Sequence, residues 1–440
     1  MANLTNTTRL GFLDTLTLAL GDSGFTDTGT STPTTFTSGN DLHVSGVELF
    51  SLAIDNTAGA FSFTGLSSNG RLVVEGDDLT LTDGASLGGG TVNERIVVGN
   101  HLATGTNDID IFGDTVLQGT ADGTGTFGIY DGSLTLDLAS GTFGALVEVY
   151  EDTAFTIISD MMGDLYIEGA VYVYGAFEGS VLFCEYGLRD LEIFSGGSVT
   201  SQVIIGGQGR ENVEVSGTGT FHANIMDLWR GDDDFDIFSG GTASGDILLG
   251  VGADTVTLDG SFTGFLSTGQ GDDSVVSDDP GASMTGLIAL DAGNDSFDGT
   301  NGPDSVRGGA GDDWILGDGG RDVLRGDAGD DTLIGDRGID RLFGGAGADE
   351  FWYMFDDASP TTILTETIVD FVAADDTLVF FETGQFIGGA AFTNTAGDVR
   401  FEVTGGVTRV EADANGDGIA DFAVELDGVI PLTVADFLFV

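Results

Sequence analysis

Aspartate recurs in this chain two residues after a glycine, in a phase too regular for chance. The glycines Gly293, Gly302, Gly311, Gly320, Gly329, Gly338 and Gly347 lie nine residues apart, and Asp295, Asp304, Asp313, Asp322, Asp331, Asp340 and Asp349 follow them. The same step occurs upstream at Gly231-Asp232-Asp233, Gly252-Ala253-Asp254 and Gly271-Asp272-Asp273. There, each interval up to Gly293 is slightly longer than two nonapeptides. One solenoid accounts for both spacings if its coil is two nonapeptides long in the later part and carries a longer loop in the earlier part. Asp233, Asp254, Asp273, Asp295, Asp313, Asp331 and Asp349 then form one column up the stack. Asp304, Asp322 and Asp340 form a shorter one on the opposite edge.

Carboxylates stacked in this way repel each other. Neighbouring strands lie about 4.8 Å apart, and like charges about 4 Å apart cost on the order of 4 kcal/mol at a near-surface dielectric. A divalent cation between successive coils reverses the sign. Ca²⁺ suits such a site because it takes about 6–8 oxygen ligands at roughly 2.3–2.6 Å. The glycines let the backbone turn sharply and present carbonyl oxygens beside each aspartate. The apolar residues that follow (Ile315, Val323, Leu333, Leu342 and Phe351) are expected to fill a narrow core.

A helix cannot use this pattern. Nine residues are not a whole number of helical turns, and each glycine costs a helix about 1 kcal/mol relative to alanine. Each repeat reads as a tight turn followed by a short strand. The stretch "GGAGDDWILGDGGRDVLRGDAGDDTLIGDRGIDRLFGGAGADEFWY" at 308–353 resembles the RTX calcium-binding nonapeptide GGxGxDxUx. The resemblance is strict over 293–353 and looser back to about residue 206. It implies a parallel β-roll with Ca²⁺ held in its turns and makes the ten aspartates of the two columns side-chain ligands. Asp318, Asp327 and Asp336 replace the second glycine of the motif and are candidate additional ligands. Pro303 and Arg321 depart from the pattern, as does Glu211 in "GQGREN", where aspartate is expected.

Composition points the same way. The 440 residues include 73 glycines, 5 prolines, 72 acids and 13 basic residues, all of them arginine, for a net charge of −59. Such a polyanion repels nucleic acid and anionic membranes, so neither is expected as a partner. Cys184 is the single cysteine and cannot form an internal disulfide or a cysteine-based zinc site. The first residues, "MANLTNTTRLGFLDTLTLALGDSG", lack the basic region and apolar run of a Sec signal. No segment reaches the ~18 consecutive apolar residues of a membrane span.

After Tyr353 the repeat stops. "TIVDFVAADDTLVF", "TRVEADANGDGIADFAVELDG" and the terminal Asp436-Phe437-Leu438-Phe439-Val440 resemble the C-terminal segment of serralysin-type RTX proteins. That resemblance implies a cap on the roll and an uncleaved signal read by type I secretion machinery, hence an extracellular or cell-surface location without a cleaved N-terminal signal. Asp413, Asn415, Asp417 and Asp421 resemble an EF-hand loop, with Val424 where the bidentate glutamate belongs, and form a weaker candidate metal site.

Upstream, "RLVVEGDDLTLTDG", "DLYIEGAVYVYG" and "GGSVTSQVIIGG" are strand-and-turn sequence, recurring at close to the length of one coil. The expected fold is all-β, a parallel β-helix or β-roll solenoid with a C-terminal β cap. Its expected divisions are an N-terminal β cap or module at 1–60, irregular β-helix rungs at 61–205, the calcium-binding roll at 206–353 and the cap and secretion signal at 354–440. A zinc protease needs HExxH, and His43, His101 and His222 do not supply it. Gly84-Ala85-Ser86-Leu87-Gly88 spells G-x-S-x-G but lacks the strand–turn–helix context of a nucleophile elbow. Trp229, Trp314 and Trp352 read as rung-stacking or interface residues. With no catalytic constellation, the expected role is a secreted, calcium-stiffened structural protein. Copies would assemble into an S-layer sheet or filament, with a cell-surface glycan as a further candidate partner. The competing readings are an RTX adhesin or glycan- or ice-binding module, and a β-helix carbohydrate-active enzyme.

Overall fold

The structure, a computed structural model, describes strands and adjoining turns between residues 2 and 183, then residues 188–353, 365–381 and 384–440. Gly84–Gly88 and Cys184 lie outside the described residues. The chain divides into two compact units, Met1–Ile225 and Met226–Val440. Both are parallel β-solenoids. The single helical turn among the described residues is the 3-10 turn Val434–Asp436.

In the first unit each coil repeats the inward positions of the coil before. Leu134, Phe155, Val171, Leu191 and Val213 are register partners in turn along one sheet, and all are fully buried. Val147, Leu165, Val181 and Ile204 form the matching column in the other sheet. Strands with period-two alternation bury one face, and stacking in register makes that face a continuous apolar column.

The second unit extends the same device further. Phe235, Val256, Val275, Phe297, Ile315, Leu333, Phe351, Leu378 and Phe437 succeed one another in register. Facing them runs a column of Ile247, Leu266, Ile288, Val306, Leu324, Leu342, Ile368 and Leu426. Four of the five expected core residues stand in these columns. Val323 does not: it is half-exposed, and Leu324 is the buried residue. The cause is the alternation itself. The inward position lies two residues after each aspartate, so Asp322 is followed inward by Leu324, while Val323 points out. Leu324→Ala should therefore cost about 2–5 kcal/mol. Val323→Ala should cost less than about 1 kcal/mol, as urea unfolding of the full chain in calcium would measure.

The end of the roll is closed by antiparallel strands. Asp398–Thr404 and Val407–Asp413 form a hairpin across the two-residue loop Gly405-Gly406, whose φ values of 67° and 92° suit the left-handed turn that such hairpins require. Phe422–Leu426 joins that hairpin on one edge and Thr365–Ile368 of the solenoid on its other. Phe437–Phe439 pairs in parallel with Thr377–Phe380, so the terminal acidic–apolar segment forms a further rung.

Candidate metal centre

The expected columns are present. Asp233, Asp254, Asp273, Asp295, Asp313, Asp331 and Asp349 each sit just before a strand of one sheet, and Asp304, Asp322 and Asp340 just before strands of the other. All ten are buried. From the second member of each column onward, the carboxylate is held by a backbone N–H from the preceding coil. Asp233 donates to Asp254 Oδ1 at 2.8 Å, Asp254 to Asp273 at 2.8 Å, Asp273 to Asp295 at 2.8 Å and Asp295 to Asp313 at 2.9 Å. Asp313 and Asp331 continue the series, donating to Asp331 and Asp349 at 2.9 and 3.0 Å. On the other edge Asp304 donates to Asp322 Oδ1 at 2.9 Å, and Asp322 to Asp340 Oδ1 at 2.8 Å.

This ladder occupies one oxygen of each carboxylate in it. The Oδ2 atoms of Asp254, Asp295, Asp313, Asp331 and Asp349, and those of Asp322 and Asp340, are buried without a hydrogen-bond partner. Several of them point at glycines. A Cβ on Gly308 would collide with Asp313 Oδ2 and lie 2.8 Å from the Gly326 carbonyl of the next coil. One coil on, a Cβ on Gly326 would collide with Asp331 Oδ2 and lie 2.7 Å from the Gly344 carbonyl. The other edge repeats this at Gly317, with Asp322 Oδ2 at 2.7 Å and the Gly335 carbonyl at 3.2 Å. These turns gather carboxylate and carbonyl oxygens around a space that only glycine leaves open. All these groups are acceptors. Buried acceptors without donors are costly unless a cation satisfies them, and an all-oxygen set suits Ca²⁺. Among the described residues, no three His, Cys, Asp or Glu side chains converge as a metal cluster. Here the carboxylate of one coil is matched by a backbone carbonyl of its neighbour, so an ion would draw on main-chain oxygens.

A second acidic ladder runs outside the first and in the opposite direction. Exposed Asp232 accepts from the N–H of Ala253 at 3.0 Å, Asp272 from Asn294 at 2.9 Å, Asp312 from Asp330 at 2.9 Å and Asp330 from Ala348 at 2.8 Å. These residues cap the next coil. The middle letter of the Gly-x-Asp step, repeatedly Asp or Asn, was their signal in the sequence.

Asp318, Asp327 and Asp336 have left-handed φ values of 61°, 74° and 62°. Asp327 aligns with Gly309 and Gly345, whose φ values are 120° and 107°. Aspartate tolerates that region better than most side chains, which accounts for its exchange with glycine there. Asp327 also pairs with Arg307 at 2.9 Å on the surface.

Asp413, Asn415, Asp417 and Asp421 meet in one loop, but hydrogen bonds engage most of their oxygens. Asp413 accepts from the N–H groups of Gly416, Asp417 and Gly418 at 2.8, 3.1 and 2.8 Å. Asp421 accepts from the Asn415 side chain at 3.0 Å and its N–H at 3.1 Å, and Asp417 accepts from Ile419 at 2.8 Å. This loop lacks the orphaned oxygens of the columns. In the first unit, Glu211 is buried against Arg189, its register neighbour on the adjoining strand, so its charge is met by an arginine.

Two acids that sequence reasoning missed close the columns. Asp349 donates its N–H to Asp376 Oδ1 at 3.2 Å, one position before the paired strands Glu350–Tyr353 and Thr377–Phe380, while Asp376 Oδ2 accepts from Val372 at 2.7 Å. Its signal was "ADDTLV" at 374–379, which repeats "GDDTLI" at 329–334 with Ala374 in left-handed conformation in place of glycine. Glu366 takes the position above Asp340, one before the pair Arg341 and Thr367, and its only signal was the inward Ile368 two residues later.

Residues 291–324 and 325–356 match the family model of the RTX calcium-binding nonapeptide repeat, four copies. No curated protein matches the chain. RTX repeats bind calcium and are typical of secreted proteins.

Proposed function

We propose that this RTX-repeat protein is a secreted structural protein whose calcium-filled roll assembles with other copies of itself on a cell surface or in an extracellular matrix. The observation that carries the reading is the ladder of buried, unpartnered Oδ2 atoms down both edges of the roll. Without a cation the fold holds a stack of buried acceptors that repel one another; with it, those acceptors become ties between successive coils. The net charge of −59 supports export through type I machinery as an extended chain in calcium-poor cytosol, with folding coupled to calcium outside.

Surface features support assembly. Leu182 and Ile205 are register partners and are 44% and 47% exposed, an apolar pair facing outward from one sheet. Ile158 and Tyr174 are each 45% exposed, and Tyr174 stacks on Phe194 with ring centroids 4.6 Å apart. Apolar surface kept on a regular sheet face suits contact between copies. The second unit favours a second reading, attachment to a cell-surface glycan. There Trp314 meets Trp352 at 4.9 Å and Trp352 meets Phe381 at 4.8 Å, with Trp314 and Phe381 partly exposed. Electron microscopy of purified protein should show ordered sheets or filaments in calcium and none after chelation. Folded, dispersed monomers in calcium would overturn assembly by the chain alone and favour the glycan reading.

A further inference from the structure

The two columns end differently. The long one closes on Asp376, whose two oxygens both accept backbone N–H groups. The short one closes on Glu366, which is 6% exposed and lies beside the buried Tyr353 hydroxyl, though neither that hydroxyl nor either carboxylate oxygen has hydrogen-bond geometry to a partner. Thr367 donates its N–H to the Asp340 carbonyl at 3.0 Å, which locks Glu366 over Asp340 in the stack.

The glycine cradles show what Glu366 replaces. At Gly299 a Cβ would lie 2.9 Å from Asp304 Oδ2 and 2.6 Å from the Gly317 carbonyl; at Gly317 the same roles fall to Asp322 Oδ2 and the Gly335 carbonyl. At Gly335 the aspartate oxygen is again present, Asp340 Oδ2 at 2.9 Å. No glycine carbonyl is among its nearest contacts, and the atom in that place is Glu366 Oε1, with which the Cβ would collide. A carboxylate oxygen from outside the repeats thus stands where a main-chain oxygen stands in the two coils before it. From this substitution we propose that Glu366 and Asp340 together form a terminal divalent-cation site that closes the short column. Glu366 brings a full negative charge to an oxygen position that elsewhere is a neutral carbonyl. Asp340 Oδ2 and both oxygens of Glu366, all buried without a donor, share one cradle and call for a cation more strongly than the interior turns do. Glu366 is then a ligand supplied by the segment after the repeats, so that this segment cannot dock fully until the metal is present.

The inference rests on the reading that the columns bind calcium, and one experiment separates the two. Calcium stoichiometry of the full chain is measured by equilibrium dialysis, and its melting temperature is recorded in calcium and in chelator, for the parent and for Glu366→Gln. If the parent binds no calcium, the underlying reading fails. If the parent binds calcium, Glu366→Gln should bind one ion fewer and melt lower in calcium, yet be at least as stable as the parent in chelator, because it relieves the repulsion with Asp340. Equal stoichiometry in parent and variant would overturn the proposal. So would an equal loss of melting temperature with and without calcium, which is what a packing role beside Tyr353 predicts. Should Glu366→Gln not fold, Tyr353→Phe removes the neighbouring hydroxyl and keeps the carboxylate. Unchanged stoichiometry in that variant supports the site, and a lost ion overturns it by moving the ligand role to Tyr353.

Discussion

Stripping calcium from the full chain at neutral pH is expected to abolish amide-exchange protection across 233–353. The apolar columns remain available to the metal-free chain, but folding them buries the aspartate ladder. The Oδ2 atoms of Asp254, Asp295, Asp313, Asp322, Asp331, Asp340 and Asp349 are then buried with no donor. Leaving a buried acceptor unsatisfied costs about 1–3 kcal/mol, and more when it is charged. Several such groups exceed the roughly 5–15 kcal/mol by which domains are stable. Calcium binds the folded form alone and adds about 2.7 kcal/mol per site at a hundredfold excess over Kd. Two sites supply about 5 kcal/mol on that scale, enough to decide whether the unit folds. Hydrogen exchange read by mass spectrometry tests this directly. Protection over 233–353 that survives calcium removal at neutral pH would show that the apolar columns suffice alone.

Acid should rescue the metal-free roll, the reverse of ordinary acid denaturation. Burial, opposed by the donated N–H and reinforced by neighbouring carboxylates, pushes Asp254 up to about 8 from an ordinary 3.8. The same causes push Asp295, Asp313, Asp322 and Asp349 up to about 7, and Asp331 to about 6. Burial likewise raises Asp304 to about 6, against hydrogen bonds from Thr300. Burial and the charge of Asp340 raise Glu366 to about 8. A carboxyl whose pKa is raised on folding binds its proton more tightly in the folded state. Its stabilising contribution is complete below the unfolded value and disappears as pH climbs through the folded one. In calcium-stripped buffer the melting temperature should therefore be highest near pH 4 and fall as pH rises from there to about 8. Calcium competes with those protons, so its binding near neutrality should release them, and its affinity should weaken on acidification. Melting curves in calcium-stripped buffers and proton release during calcium titration provide the checks. A metal-free melting temperature that peaks at neutral or higher pH would contradict the sign.

Much of this was written locally. The nine-residue phase, the ten column aspartates and the all-oxygen character of their sites follow from spacing, because each repeat is one turn and one strand and stacking carries every position onto its counterpart. Asp376 was legible too, once "ADDTLV" is set beside "GDDTLI". Which residue of Val323-Leu324 enters the core depends on counting the pleat from the aspartate. A one-residue slip sends a side chain to the opposite face. Glu366 is the clearest case of what sequence could not supply. It falls too far after Asp340 to fit the period of two nonapeptides, and it reaches the column only because Thr365–Ile368 pairs with the last coil of the roll. Likewise, the chain could not announce that Arg189 meets Glu211, since their contact is made between coils of unequal length. Repetition lets neighbours in sequence predict neighbours in space. Where the repeat ends, register between distant strands decides which charges meet, and only the folded sheet sets that register.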